Sequence, residues 1–171
     1  VTLGQNKRIN IMSKVIIQNV GKVFERAASP VPALENVNLS IEDNEFITLV
    51  GASGCGKSTL LRILAGLEYR TSGEVLCDGR NISTPGADRA MVFQHYSLYP
   101  WLTVMENIKF NRQLKVNREN LSSSDVEAAS GRADALLNLI GLRKVRDAYP
   151  NQLSGGMQQR LQIARNLVTQ P

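Results

Sequence analysis

"GASGCGKS", residues 51–58, decides the fold. It fits the pattern G-x-x-x-x-G-K-[ST], and its flanks are those the pattern requires. Before it, Phe46–Val50 ("FITLV") is almost wholly apolar and breaks off at Gly51, as a strand buried on both faces of a parallel sheet would. After it, Leu60, Leu61 and Leu64 recur at helical spacing up to Gly66, which predicts a helix over Ser58–Ala65. Gly51, Gly54 and Gly56 let the backbone close around phosphates. The N–H groups of the turn, with Ala52, Ser53 and Cys55, face an anion together with the helix N-terminus. Lys57 supplies a cation for the β- and γ-phosphates, and the hydroxyl of Ser58, next to Thr59, can ligate Mg²⁺. The bland alternative is a Gly-rich turn with no ligand, and the full match in the right context speaks against it. The loop points to a bound nucleoside triphosphate.

The composition is compatible with that reading and narrows it. A chain of 171 residues holds one domain with a core of its own. Its 43% hydrophobic and 20% charged residues are those of a globular protein. The formal net charge of +5 is scattered along the chain rather than gathered in a tail, so a nucleic-acid partner is not expected. Cys55 and Cys77 suggest no disulfide framework and fit a reducing compartment. No apolar run approaches the roughly 20 residues of a membrane-spanning helix. Residues 1–13 are read as a disordered leader, with Met12 a candidate start.

The rest of the chain divides into a strand-rich part and a helical part. Strands are expected at Val15–Phe24 and Val37–Ile41, with a loop at Ala27–Pro32 between them. "GEVLCDG", Gly73–Gly79, reads as a strand closed by an Asp-Gly turn. "MVFQ" reads as a short strand ending at Gln94. Helices are expected at Thr103–Asn111, about Asp125–Ile140 and Ser154–Val168, with a polar connection over Asn117–Ser124. The sum is an α/β domain of the P-loop NTPase kind, with an antiparallel β region and a helical subdomain at about residues 95–160.

A second Gly-rich motif, "LSGGMQQR" at Leu153–Arg160, opens the last of these helices. By itself it reads equally well as an N-cap with flexible glycines. Downstream of the phosphate loop, it makes nearly the whole chain, Val15–Pro171, resemble the nucleotide-binding subunits of ABC transporters, with the domain taken as residues 14–171. In that family the motif is the signature that clamps the γ-phosphate of ATP held by a second ATP-binding subunit, in a homo- or heterodimer. The resemblance assigns this role to Ser154, Gly155, Gly156 and Gln158. It also makes Gln94 the glutamine that reaches Mg²⁺ and the attacking water, and Phe24 the aromatic that stacks on adenine, although a lone aromatic on a strand fits a core equally well. Tyr96–Asn107 resembles the segment that receives the transmembrane permease subunits, and its "PWLTV" wording resembles the nitrate, sulfonate and taurine importer branch. Met157 departs from the commonest signature, which has glutamine there, in a way familiar from that branch. The implied location is peripheral, on the cytoplasmic face of the inner membrane.

Three further readings complete the expectation. Val75–Asp78 resembles an apolar run ending in a Mg²⁺-binding aspartate, but Gly79 follows, which favours a hairpin. His95, the sole histidine, precedes the signature and is read as a surface residue. The family's buried strand ending in Asp-Glu, which supplies the general base, has no counterpart here, because nothing acidic follows Asp147. The chain is therefore read as an N-terminal fragment, truncated before that Walker B strand and inactive as it stands. The competing classes are a soluble ABC-type ATPase of nucleic-acid metabolism and a catalytically dead nucleotide-binding remnant. The first of these inserts zinc modules or long coiled coils between loop and signature, and this sequence has neither.

Overall fold

The computed structural model describes residues 14–25, 29–86, 88–95, 97–110 and 123–171. They fall into two compact units, divided after Gly86.

The first unit is built on a four-stranded antiparallel sheet: β1 (Val15–Phe24), β2 (Val31–Ile41), β3 (Ser72–Cys77) and β4 (Arg80–Asn81), in the order β2-β1-β3-β4. Ile17 of β1 is flanked by Leu39 of β2 and Val75 of β3. Left-handed Asn19 and Asn36 and the register shifts beside them break the alternation, so Ile17 and Val20 of β1 and Leu34 and Val37 of β2, each pair three apart, bury together with Val75. Helix α1 (Lys57–Leu64) adds Leu60 and Ile63 to the same core. It ends in a Schellman turn, with Gly66 N–H donating to the Ile63 carbonyl and Leu67 N–H to that of Arg62. Asp78 and Gly79, both at positive φ, form the two-residue turn between β3 and β4, where Cys77 pairs with Arg80. Val75–Asp78 is thus the hairpin arm that the following glycine indicated.

Three expectations fail locally. The loop expected over Ala27–Pro32 yields to β2 from Val31 onward. Pro32 is tolerated there because β2 is an outer strand of the described sheet, where a missing N–H costs no ladder bond. Phe46–Val50 forms no strand, although Ile47 and Leu49 are half-buried and Leu49 packs on the core. A ladder needs a neighbour, and among the described residues no segment pairs with this one. Phe46 and Val50 are accordingly 92% and 84% exposed rather than buried on both faces. The "MVFQ" strand is likewise absent, and Val92 and Phe93 are partly exposed.

The second unit is helical: α2 (104–110), α3 (Ser123–Leu139) and α4 (Gly155–Leu167), with single 3₁₀ turns at Arg143–Val145 and Pro150–Gln152. Thr103 and Glu106 start α2 with a capping box, Thr103 N–H donating to Glu106 Oε2 at 2.7 Å and Glu106 N–H to Thr103 Oγ1 at 3.3 Å. Val104, Met105 and Ile108 of α2, Ala133 and Leu137 of α3, and Leu161, Ala164 and Val168 around α4 form its core. Among the described residues no helix is long and apolar enough to cross a membrane. The expectations for residues 1–13 and for Tyr96 fall outside the described residues, as does most of the 117–124 connection.

Candidate functional site

In the first unit the chain leaves Val50, turns at Ala52–Cys55 and enters α1 through Gly56. Gly54 and Gly56 have φ of 81° and 95°. At Gly56 a Cβ atom would also lie 2.5 Å from the Ala33 carbonyl oxygen and 2.8 Å from Leu34 Cδ2. Backbone handedness and close packing on β2 both demand glycine at that point. No side chain caps α1 and no acidic residue lies in its first turn. Its N-terminal N–H groups therefore present uncompensated positive potential.

Lys57 adds to that potential. Its Nζ donates to the carbonyl oxygens of Gly51 and Ala52, each at 2.7 Å, and approaches Cys55 Sγ at 3.5 Å. A cation at the positive end of a helix is electrostatically unfavourable, and an anion placed against both relieves it. Ala52, Ser53, Gly54 and Ser58 are exposed, with Thr59 half-buried, so the loop is open to a ligand from solvent.

Phe24 ends β1 and is half-buried. Lys22 Nζ lies 4.7 Å from its ring centroid, a cation–π contact that occupies one face. That ammonium also donates to Glu68 Oε1 at 2.6 Å and to the Tyr69 carbonyl at 2.7 Å. The hydrogen bond from Lys22 holds the Glu68 carboxyl below the usual carboxylate range, against the opposing effect of burial.

In the second unit, Gln94 and His95 are exposed at a bend. Ser154 caps α4, its Oγ accepting from Met157 N–H at 3.4 Å, with Gly155 and Gly156 exposed in the first turn. Gln158 is not free to meet a ligand with its amide nitrogen, since Nε2 donates to the carbonyls of Pro150 at 2.9 Å and Leu153 at 3.2 Å. It fastens the turn that leads into α4. Met157 packs against the apolar core, which explains an apolar residue there.

One residue with a clear task went unnoticed in the sequence. Asn107 is fully buried, and its amide bonds the Tyr99 N–H at 2.9 Å and the carbonyls of Tyr99, Leu102 and Thr103 at 2.9–3.1 Å. A polar residue between Val104, Met105 and Ile108 on a helix's buried face was the available signal.

A glycine-rich loop that opens a helix packed on an antiparallel sheet, with a helical unit following in the chain, is the fold of an ABC-type ATP-binding cassette. The sequence profile of the ABC transporter family matches residues 34–171. The chain is 48% identical over 165 residues to an uncharacterized ABC transporter ATP-binding protein of Methanocaldococcus jannaschii, covering 96% of this chain and 59% of that one. It is 46% identical over 157 residues to a nitrate import ATP-binding protein of Synechocystis, covering 91% of this chain and 56% of that one. Among solved structures, an ATP-binding cassette seen as a dimer with ADP and Pi superposes with a TM-score of 0.78 at 36% identity, over 92% of this chain and 70% of that one. The chain belongs to the ABC transporter family. It spans a little over half the length of the curated relatives named here.

Proposed function

We propose that this protein binds MgATP on residues 51–59 and, paired with a second ATP-binding subunit, hydrolyses it to drive solute import through membrane subunits. The observation that carries the reading is the phosphate loop: left-handed Gly54 and Gly56, an uncapped helix N-terminus and the Lys57 ammonium converge on one exposed turn. In this reading Lys57 binds the β- and γ-phosphates, and the ring face of Phe24 away from Lys22 takes adenine. Ser154, Gly155 and Gly156 complete the ATP site of the partner subunit. Mg²⁺ is a hard cation that keeps several waters and needs few protein oxygens, and the exposed Ser58 hydroxyl suits it. Bound there, it would neutralise charge on the phosphates.

Import rather than nucleic-acid work is favoured by the relatives, which include nitrate, bicarbonate and spermidine/putrescine import or transport ATP-binding proteins. A nitrate-type anion is the solute class nearest to the "PWLTV" wording, and we place the subunit on the cytoplasmic face of the membrane. The test is a titration of the protein with a fluorescent ATP analogue, followed by phosphate release from the protein at the length of its relatives. Saturable, Mg²⁺-dependent binding that excess ATP reverses is expected. Absence of binding to wild-type protein overturns the reading.

A further inference from the structure

Two polar side chains on α4 are buried where an apolar helix face would be expected, Gln162 at 0% and Arg165 at 7% exposure. Three residues apart, they share one side of the helix. Both reach Ser97. Arg165 donates through Nη1 to the Ser97 carbonyl and through Nη2 to its hydroxyl oxygen at 2.9 Å. Gln162 Nε2 donates to the same hydroxyl at 3.3 Å.

The guanidinium also lies 5.1 Å from the centroid of the Tyr99 ring. Tyr99 is held on its other sides, its backbone by Asn107 and its ring by Phe110 at 4.5 Å. Beside it, 5.6 Å away, is the ring of Trp101, the sole tryptophan of the chain, 68% exposed. Desolvation pulls the Arg165 pKa down, the neighbouring Tyr99 opposing it, so this burial carries a cost that the contacts must offset. Only a planar fork can bond a carbonyl and a hydroxyl together while stacking on a ring, so lysine is no substitute. From Arg165 the helix runs about 16 Å back to Ser154, at 1.5 Å per residue.

We propose that Arg165 is a positioning residue for the partner-docking surface: with Gln162 it rivets the Ser97–Trp101 segment to α4, so that a membrane subunit seated on Trp101 moves the signature helix with it. The inference rests on the reading of Tyr96–Asn107 as the permease-facing segment. An exposed tryptophan on a rigid frame is the kind of residue that anchors a protein interface. A helix bonded to that frame is moved as one piece with it.

The test uses Arg165→Met, Arg165→Lys and Ser97→Ala in the ATP-binding protein at the length of its relatives, alone and reconstituted with its membrane subunits. Trp101 emission and acrylamide quenching report the loop, thermal melts report folding, and phosphate release is read with and without the membrane subunits. Expected is easier quenching of Trp101 in Arg165→Met and Ser97→Ala, unchanged turnover of the isolated protein, and loss of the change in turnover that the membrane subunits cause. Arg165→Lys should not rescue. Should Arg165→Met fail to fold, Ser97→Ala decides alone. Unaltered quenching, or altered quenching with the membrane subunits' effect intact, overturns the proposal. If wild-type protein shows no turnover in either setting, the functional reading falls instead, and capture of the membrane subunits decides this inference: wild-type capture with none by the variants sustains it, equal capture overturns it.

Discussion

The ammonium of Lys57 lies 2.7 Å from the carbonyl oxygen of Gly51, so the residue that closes the phosphate loop is bonded to the one that opens it. Lys57→Ala removes this bond and the cation offered to the phosphates. Charge-assisted bonds of that kind contribute roughly 1.5–3 kcal/mol, a weakening of about ten- to a hundredfold. Titration with a fluorescent ATP analogue should show that loss while the melting temperature changes little. Unchanged affinity would mean that the ammonium stays on the loop carbonyls and never meets phosphate.

Gly54 and Gly56 are both left-handed, but only Gly56 is enclosed. Nothing lies within 4 Å of a Cβ built on Gly54, whereas one on Gly56 meets the Ala33 carbonyl at 2.5 Å. Gly54→Ala should cost the left-handed strain alone, about 1–2 kcal/mol. Gly56→Ala adds a collision with backbone that cannot rotate away, and its cost in urea unfolding should clearly exceed that of Gly54→Ala. Equal costs would show that α1 and β2 do not pack as described.

The sequence made the glycine-rich turn ahead of α1, α1 itself, β1 and the β3–β4 hairpin legible, because each is written locally: Gly spacing, a leucine stripe, an Asp-Gly turn. α3 and α4 were legible for the same reason, through their periodicity and, for α4, the Ser154 cap. Phe46–Val50 was misread because an apolar run records what a strand needs, not whether a neighbour is there to pair with it. Pro32 suggested a loop because its tolerance on an outer strand depends on sheet order, which no local pattern encodes. The bonds of Gln158 and Asn107 are tertiary facts: a glutamine in a signature motif and an asparagine in a helix look the same whether they face a ligand or a carbonyl.

The two cysteines should react differently. Cys55 is partly exposed in the phosphate loop, its sulfur 2.7 Å from where a Cβ on Gly51 would stand, while Cys77 is buried in the sheet. A bulky maleimide should label Cys55 in the folded protein, leave Cys77 untouched and prevent nucleotide binding, and ATP should slow the labelling. Mass spectrometry of labelled peptides distinguishes the sites. Equal rates at Cys55 with and without ATP would place the nucleotide elsewhere.

The capping box of α2 carries a pH signature. The Thr103 backbone N–H first, and its hydroxyl second, hold the Glu106 carboxyl below its ordinary value of 4.5. A carboxyl whose folded-state pKa is depressed stabilises the fold fully above its unfolded value and loses that contribution as pH falls through the folded value. Wild-type protein should therefore lose helical stability below about pH 4.5 more steeply than Glu106→Gln. Melts by circular dichroism between neutral pH and the acid limb check this, and parallel curves for the two proteins would dismiss the box as a source of pH dependence.

Asn107 gives the sharpest stability prediction, because one buried side chain serves both Tyr99 backbone groups and two further carbonyls. Asn107→Ala leaves the Tyr99 N–H and the Leu102 carbonyl without the side-chain partner, while the Tyr99 and Thr103 carbonyls keep the backbone N–H groups of Leu102 and residue 107. The cost is about 1–3 kcal/mol for each group that water cannot reach. The total should be on the order of 3 kcal/mol, a large share of a marginal domain's stability. Asn138→Ala, on the exposed side of α3, is the control and should stay within about 0.5 kcal/mol of wild type. Urea unfolding followed both by helical ellipticity and by Trp101 fluorescence measures the two variants. In Asn107→Ala the fluorescence transition should come first, because the loop bearing Trp101 loses its tether before the helices part. Coincident transitions at the wild-type midpoint would mean that the 99–103 turn holds its shape without Asn107.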